Sequence, residues 1–117
     1  MADKQTFNTV KAETFAGSLI DTLNKSSLSL MISIGHRSGL FDTMAEMDFA
    51  TSAEIADKAA LNERYVREWL GAMVTGGVIE YVPESKSYHL PAEHAAYLTR
   101  KAGADNIAVF TLSLIHI

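Results

Sequence analysis

The segment from Thr51 to Thr99, TSAEIADKAALNERYVREWLGAMVTGGVIEYVPESKSYHLPAEHAAYLT, constrains this chain more than any other part of it. Thr51 followed three residues on by Glu54 is a capping box, in which each side chain satisfies a backbone N–H orphaned at a helix start. Ile55, Ala56 and Ala59 then recur at helical spacing until Leu61. Asn62 is a second N-cap, and Val66, Trp69, Leu70, Met73 and Val74 make the inner stripe of the helix it starts. Gly76-Gly77 supplies a left-handed residue to end that helix. Val78 to Val82 is rich in strand formers, Pro83 to Ser87 is a turn, and Ser87 to Leu90 returns. Pro91 opens a last short helix through Leu98. Helix, tight turn, helix and hairpin, in that order, describe a winged helix, a scaffold that serves either to read DNA or to build dimers.

Upstream, residues 1–12 are polar and are expected to be a flexible N-terminus. From Glu13 the pattern is an amphipathic helix with Phe15, Leu19, Ile20 and Leu23 on one face, and Asn24-Lys25-Ser26-Ser27 is expected to break it. Leu28, Leu30, Met31, Ile32 and Ile34 are then apolar on more than one face, which in a small domain implies that a partner subunit covers one of them. Gly35 and Gly39 punctuate the end, and Leu40, Phe41 and Met44 resume an apolar face. The predicted fold is mainly α: a winged helix-turn-helix with a small two-stranded β wing and N-terminal dimerisation-type helices, a single domain over residues 13–110.

Charge separates the two uses of the scaffold. A DNA reader lines the outer face of its second helix, and its wing, with basic and amide side chains. Here that face carries Glu63, Arg64, Arg67, Glu68 and Gly71, and the wing sets Glu84 against Lys86. Between Thr51 and Thr99 seven acids (Glu54, Asp57, Glu63, Glu68, Glu80, Glu84, Glu93) face four bases (Lys58, Arg64, Arg67, Lys86). The whole chain has a formal charge of -4. Phosphate neutralisation supplies most of a DNA binder's affinity, and this surface is poor in it. Arg64 and Arg67 are the DNA-binding candidates in that alternative; the preferred reading is a solvated face with local ion pairs. The 117 residues contain no cysteine, which excludes disulfides, thiolate metal sites and a cysteine nucleophile. The start, MADKQTF, lacks a signal-peptide core, and the apolar run Leu28 to Ile34 is too short to cross a bilayer, so a cytoplasmic location with no membrane partner is expected.

LMISIGHRSGLFDTM, TSAEIADKAALNERYVREWLGAMVTGGVIEY and YHLPAEHAAYLT together resemble the N-terminal winged-helix domain of a family of class I S-adenosylmethionine-dependent methyltransferases. The resemblance runs from Phe15 to Val109 and is most specific in RYVREWLGAMVTGGVIEY and IGHRSGLFD. It implies a homodimer in which the N-terminal helices pair subunits and close over a small-molecule substrate, with S-adenosylmethionine bound by a C-terminal Rossmann-like domain. On that model Met31 and His36 are substrate-proximal. A pure dimerisation module without ligand is a further alternative.

The departure from the family is as informative. Such an enzyme needs an acidic-x-Gly-x-Gly loop after a strand, so that backbone can approach the nucleoside. The seven glycines (17, 35, 39, 71, 76, 77 and 103) never form it, and Gly76-Gly77 follows a helix rather than a strand. No cofactor-binding or catalytic residue is therefore expected in this chain, which reads as a fragment inactive by itself. Leu112-Ser113-Leu114-Ile115-His116-Ile117 can be encoded by CTG TCT CTT ATA CAC ATC, the string of a transposon-end sequencing adapter. Residues 111–117 are accordingly expected to be an adapter tail.

Other chemistry is sparse. His36, His89, His94 and His116 lack zinc-site spacing, and no metal site is expected. Ser18, Ser26, Ser27, Ser29, Ser33 and Ser38 lie outside any Gly-x-Ser-x-Gly elbow. Met31, Met44, Met47 and Met73 read as core filling before they read as an adaptable pocket.

Overall fold

The computed structural model describes residues 6–111. Five α-helices and one hairpin make up its regular structure: α1 (Thr9–Ser38), α2 (Leu40–Ala45), α3 (Ser52–Ala59), α4 (Glu63–Thr75), β1 (Glu80–Val82), β2 (Ser87–His89) and α5 (Ala92–Leu98). A 3-10 segment at Arg100–Asp105 follows. The fold is a winged helix, mainly helical, as the sequence predicts; the six-residue tail 112–117 lies outside the described residues.

Two expectations at the N-terminus are corrected. The first helix starts at Thr9 rather than Glu13, because Asn8 caps it by accepting the Lys11 N–H. Nor does Asn24–Ser27 break it. That stretch holds neither Gly nor Pro, Lys25 pairs with Asp21 one turn back at 3.0 Å, and α1 runs unbroken for 30 residues. Gly39 ends it with φ 79°, a left-handed conformation that glycine adopts without a Cβ clash, and α2 starts at the next residue.

The core lies under α4. Val66, Trp69, Leu70 and Met73 are buried against Leu40, Phe41 and Met44 of α2 and Ile55 and Ala56 of α3, with Ile79 and Leu90 closing the side toward the wing. Trp69 meets Phe41 edge-on, ring centroids 5.3 Å apart, and its indole N–H donates to the Met31 carbonyl at 2.8 Å. Gly35 makes this possible: a Cβ there would sit 2.5 Å from the Trp69 ring. It lies within α1 as a packing residue, and Gly39 alone does the terminating. At the other end of α4, a Cβ on Gly76 would meet Leu28 at 2.5 Å, and Gly77 takes the left-handed turn with φ 76°.

The capping box at the head of α3 is present in full: Glu54 accepts the Thr51 N–H at 2.9 Å, and Thr51 Oγ1 accepts the Glu54 N–H at 3.2 Å. Asn62 caps α4 through the Arg64 N–H. The wing is antiparallel, pairing Glu80 with His89, Tyr81 with Tyr88 and Val82 with Ser87. Its first strand is shorter than the apolar run implies, because the N–H groups of Val78 and Ile79 both turn back to the Met73 carbonyl. Ala50 adds a bridge to Tyr88 outside the two strands, tying the approach to α3 onto the wing.

Candidate functional site

Met31 and His36 stand five residues apart on α1, roughly 140° around the helix, and they do not share a pocket. Met31 packs half-buried on the core and, with Leu28, Leu30, Ala72 and Gly76, lines an open groove of about 630 Å³ between α1 and α4. His36 is buried in the last turn of α1, its Nδ1 3.5 Å from Asn106 Nδ2. Around it the structure places polar groups that sequence reasoning had not grouped. Ser29, Ser33 and His36 recur at helical spacing on one side of α1, Ser33 is fully buried, and Asn106 is 5% exposed. Ser33 Oγ and Asn106 Oδ1 have no hydrogen-bond partner among the described residues. The period was visible in the sequence; the approach of Asn106 from 70 positions away was not.

A second long-range contact fixes the chain beyond the wing. Asp42 of α2 accepts the Arg100 N–H at 2.7 Å and the Arg100 guanidinium at 2.8 Å. The carboxylate thus holds both backbone and side chain of the residue that follows α5.

Arg64 and Arg67 lie on the exposed face of α4, each turned onto an acid of its own helix. Arg64 Nε is 3.4 Å from Glu68 and Arg67 Nη2 is 3.6 Å from Glu63. Glu63 also accepts the Ser52 hydroxyl. On the wing, His89 stacks on Phe49 with ring centroids 4.4 Å apart and approaches Glu80 at 3.3 Å. His94 lies apart, its Nδ1 donating to the Val78 carbonyl at 2.7 Å. Among the described residues no three His, Asp or Glu side chains are grouped so as to hold a metal, and no helix is long and apolar enough to cross a membrane.

Among the described residues two titrating groups are displaced. The Thr51 backbone N–H, and secondarily its hydroxyl, hold the Glu54 carboxyl below the usual range. Burial, with a smaller contribution from Tyr81, pushes the Tyr88 phenol up. Neither belongs to a cleft with a nucleophile, and they read as structural.

Gly76-Gly77 is the only glycine pair, and its surroundings answer whether a nucleoside cofactor could sit there. Leu28 packs where a backbone approach would need open space. Gly76 therefore offers no such approach, although around Gly77 nothing lies within 4 Å.

Comparison with known proteins places this geometry. The model of the Rv2258c-like winged HTH domain matches residues 26–100. No curated protein matches the chain. Among solved structures, mitomycin 7-O-methyltransferase MmcR superposes with a TM-score of 0.72 at 17% identity, over 89% of this chain and 30% of that one. PigF, solved with SAH, gives 0.65 at 18% identity over 94% and 29%. Human N-acetylserotonin methyltransferase in complex with SAM gives 0.61 at 17% over 83% and 28%. The likeness at these identities is one of fold, and the chain spans less than a third of each of these structures.

Proposed function

The chain belongs to the Rv2258c-like winged HTH domain family, and from that premise we propose that it is the N-terminal dimerisation and substrate-lid domain of an S-adenosylmethionine-dependent methyltransferase acting on a small molecule. The observation that carries the reading is its fold likeness to two methyltransferases and to SAH-bound PigF, of each of which it spans less than a third. The chemistry then belongs to a separate domain that holds S-adenosylmethionine and the catalytic base. This chain's part is mechanical: α1 pairs subunits, and the segment from Leu28 to Phe41 walls the substrate cavity. Met31, in the α1–α4 groove, is the side chain we assign to that wall, and His36, beside Asn106 on another side of α1, we assign to a separate substrate-proximal position.

Support for the pairing role comes from α1 itself. Phe15, Leu19, Ile20 and Leu23, which the sequence places on one helix face, are exposed in the monomer. A surface helix that leaves an apolar face in water is stabilised by a partner that covers it.

Two measurements test the proposal. One is the coding sequence downstream of Thr111 at the source locus. An open frame leading into a strand and an acidic-x-Gly-x-Gly loop is expected, and a genomic stop directly after the LSLIHI codons overturns the methyltransferase reading. The other is the mass of the 117-residue chain by light scattering. A dimer is expected, with Leu19→Asp plus Leu23→Asp shifting it to monomer; a wild-type monomer at high concentration removes the pairing role. Both positions are exposed, so these changes leave the core alone, whereas a charge at Met31 would also disturb packing.

A further inference from the structure

Four threonine hydroxyls of this chain settle in the way usual for a helix. Thr14, Thr22, Thr75 and Thr99 each donate to the carbonyl one turn back, at 2.9–3.0 Å. Ser33 does not. It is fully buried in the last third of α1, and its Oγ meets no hydrogen-bond partner among the described residues. One turn further along the same side, His36 brings its Nδ1 to 3.5 Å from Asn106 Nδ2. The other end of that amide, Oδ1, is as buried as Ser33 Oγ and as unpaired. Turning the amide over would seat its oxygen on His36 and leave its nitrogen over instead, so Asn106 has one surplus polar atom either way.

We propose that Ser33, His36 and Asn106 form a binding site for one internal water molecule, which pairs with Ser33 Oγ and Asn106 Oδ1 and joins α1 to the end of the 3-10 segment. The inference is independent of the methyltransferase reading. Buried polar atoms without a replacement bond lose their hydration at a cost, and internal waters make about three hydrogen bonds to such atoms. Chemistry selects water as the occupant. Asn106 Oδ1 only accepts, so an inorganic anion would set one acceptor against another. A cation finds no carboxylate there, since no ion pair among the described residues includes any of the three side chains. A larger molecule is excluded because both oxygens are sealed from solvent.

The spacing fits. Cβ atoms one turn apart on a helix lie about 5–6 Å from each other, and a water spans about 5.5 Å between the oxygens it joins. Ser29, half-buried one turn before Ser33, continues the polar side toward solvent and gives the water a route of exchange. The site also completes the fastening of the segment beyond α5. Asp42 holds Arg100 at its start, and the water holds Asn106 at its end. The turn at Gly103, with φ 63° and ψ -122°, then falls between two fixed points.

A high-resolution crystal structure of the 117-residue chain tests the site directly. An ordered water within about 3.2 Å of both Ser33 Oγ and Asn106 Oδ1 is expected. The two side chains bonded directly to each other, or no solvent density beside them, overturns the proposal. Urea titration supplies a second reading whose sign differs between the alternatives. With a water held, Ser33→Ala removes one of its partners and lowers the midpoint. That loss shrinks in an Asn106→Ala background, where the shared water has already lost its other partner. With a bare hydroxyl, Ser33→Ala deletes an unpaired group and adds the better helix former, so a raised midpoint overturns the proposal. Equal shifts in the two backgrounds overturn it as well. Should Asn106→Ala fold poorly, the crystallographic reading needs no variant and decides alone. Neither reading depends on oligomeric state or on the downstream frame, so failure here is distinct from failure of the methyltransferase assignment.

Discussion

Two glycines on helices that pack against each other have opposite roles, and substitution should separate them. Alanine at Gly35 brings its Cβ to 2.5 Å from Trp69 and 2.6 Å from Phe41. The helix-propensity gain of about 1 kcal/mol is then outweighed by overpacking of about 1–3 kcal/mol, and Gly35→Ala lowers the urea midpoint. Around Gly71 nothing lies within 4 Å, so Gly71→Ala stabilises the fold by about 0.5–1 kcal/mol and raises the midpoint. Urea titrations of the two variants check both signs; a stabilised Gly35→Ala contradicts the packing described. The same reasoning limits what sequence can reveal. Gly39 and Gly77 were legible as helix stops because their neighbours set the pattern. Gly35 was assigned a terminating role, because a close approach of Trp69 and Phe41 is a tertiary fact with no local signature.

At the scale of elements, local chemistry was legible where it is local. The caps at Thr51 and Asn62 and the α4 stripe follow from adjacent residues and were read correctly. The start of α1, its continuity through Asn24–Ser27, and the shortened β1 were not. Polar residues are compatible with both a helix surface and a loop, and the Met73 carbonyl captures Val78 and Ile79 from the strand. The α3 cap offers two predictions. Thr51→Ala removes the acceptor for the Glu54 N–H and costs about 1 kcal/mol, read as a lower midpoint at neutral pH. The second concerns acid. Hydrogen bonds from Thr51 hold the Glu54 carboxyl below its ordinary range in the folded state. Its contribution is therefore present above the ordinary carboxylate pKa and disappears as pH falls through the lower folded value. Glu54→Gln, which titrates no proton, should lose less stability than wild type between neutral pH and about pH 3. Equal losses would detach Glu54 from the acid response.

For the molecule as a whole, shape and charge together decide what this winged helix does. Its radius of gyration is 18.5 Å, against about 13 Å for a compact chain of this length. The excess comes from the first half of α1, which projects from the core with its apolar face uncovered. Sequence periodicity revealed that face but not its exposure, because an amphipathic pattern is the same whether its own core or a second copy covers it. Of the site, His36 was legible by type and Asn106 was not, being joined to it only by the fold. The surface that would meet DNA carries the last prediction. Binding requires cations free to release counterions from phosphate, and affinity grows with their number. The two arginines on the exposed face of α4 are each engaged by a glutamate of the same helix, and the chain is acidic overall. Duplex DNA at low salt should therefore show no mobility shift at concentrations where a winged-helix reader saturates. Relieving the pairing with Glu63→Gln plus Glu68→Gln should raise any residual binding and steepen its salt dependence, since freed arginines are what the face lacks. A wild-type shift that falls steeply with salt, and that Arg64→Glu plus Arg67→Glu abolishes, would return this fold to its DNA-reading use.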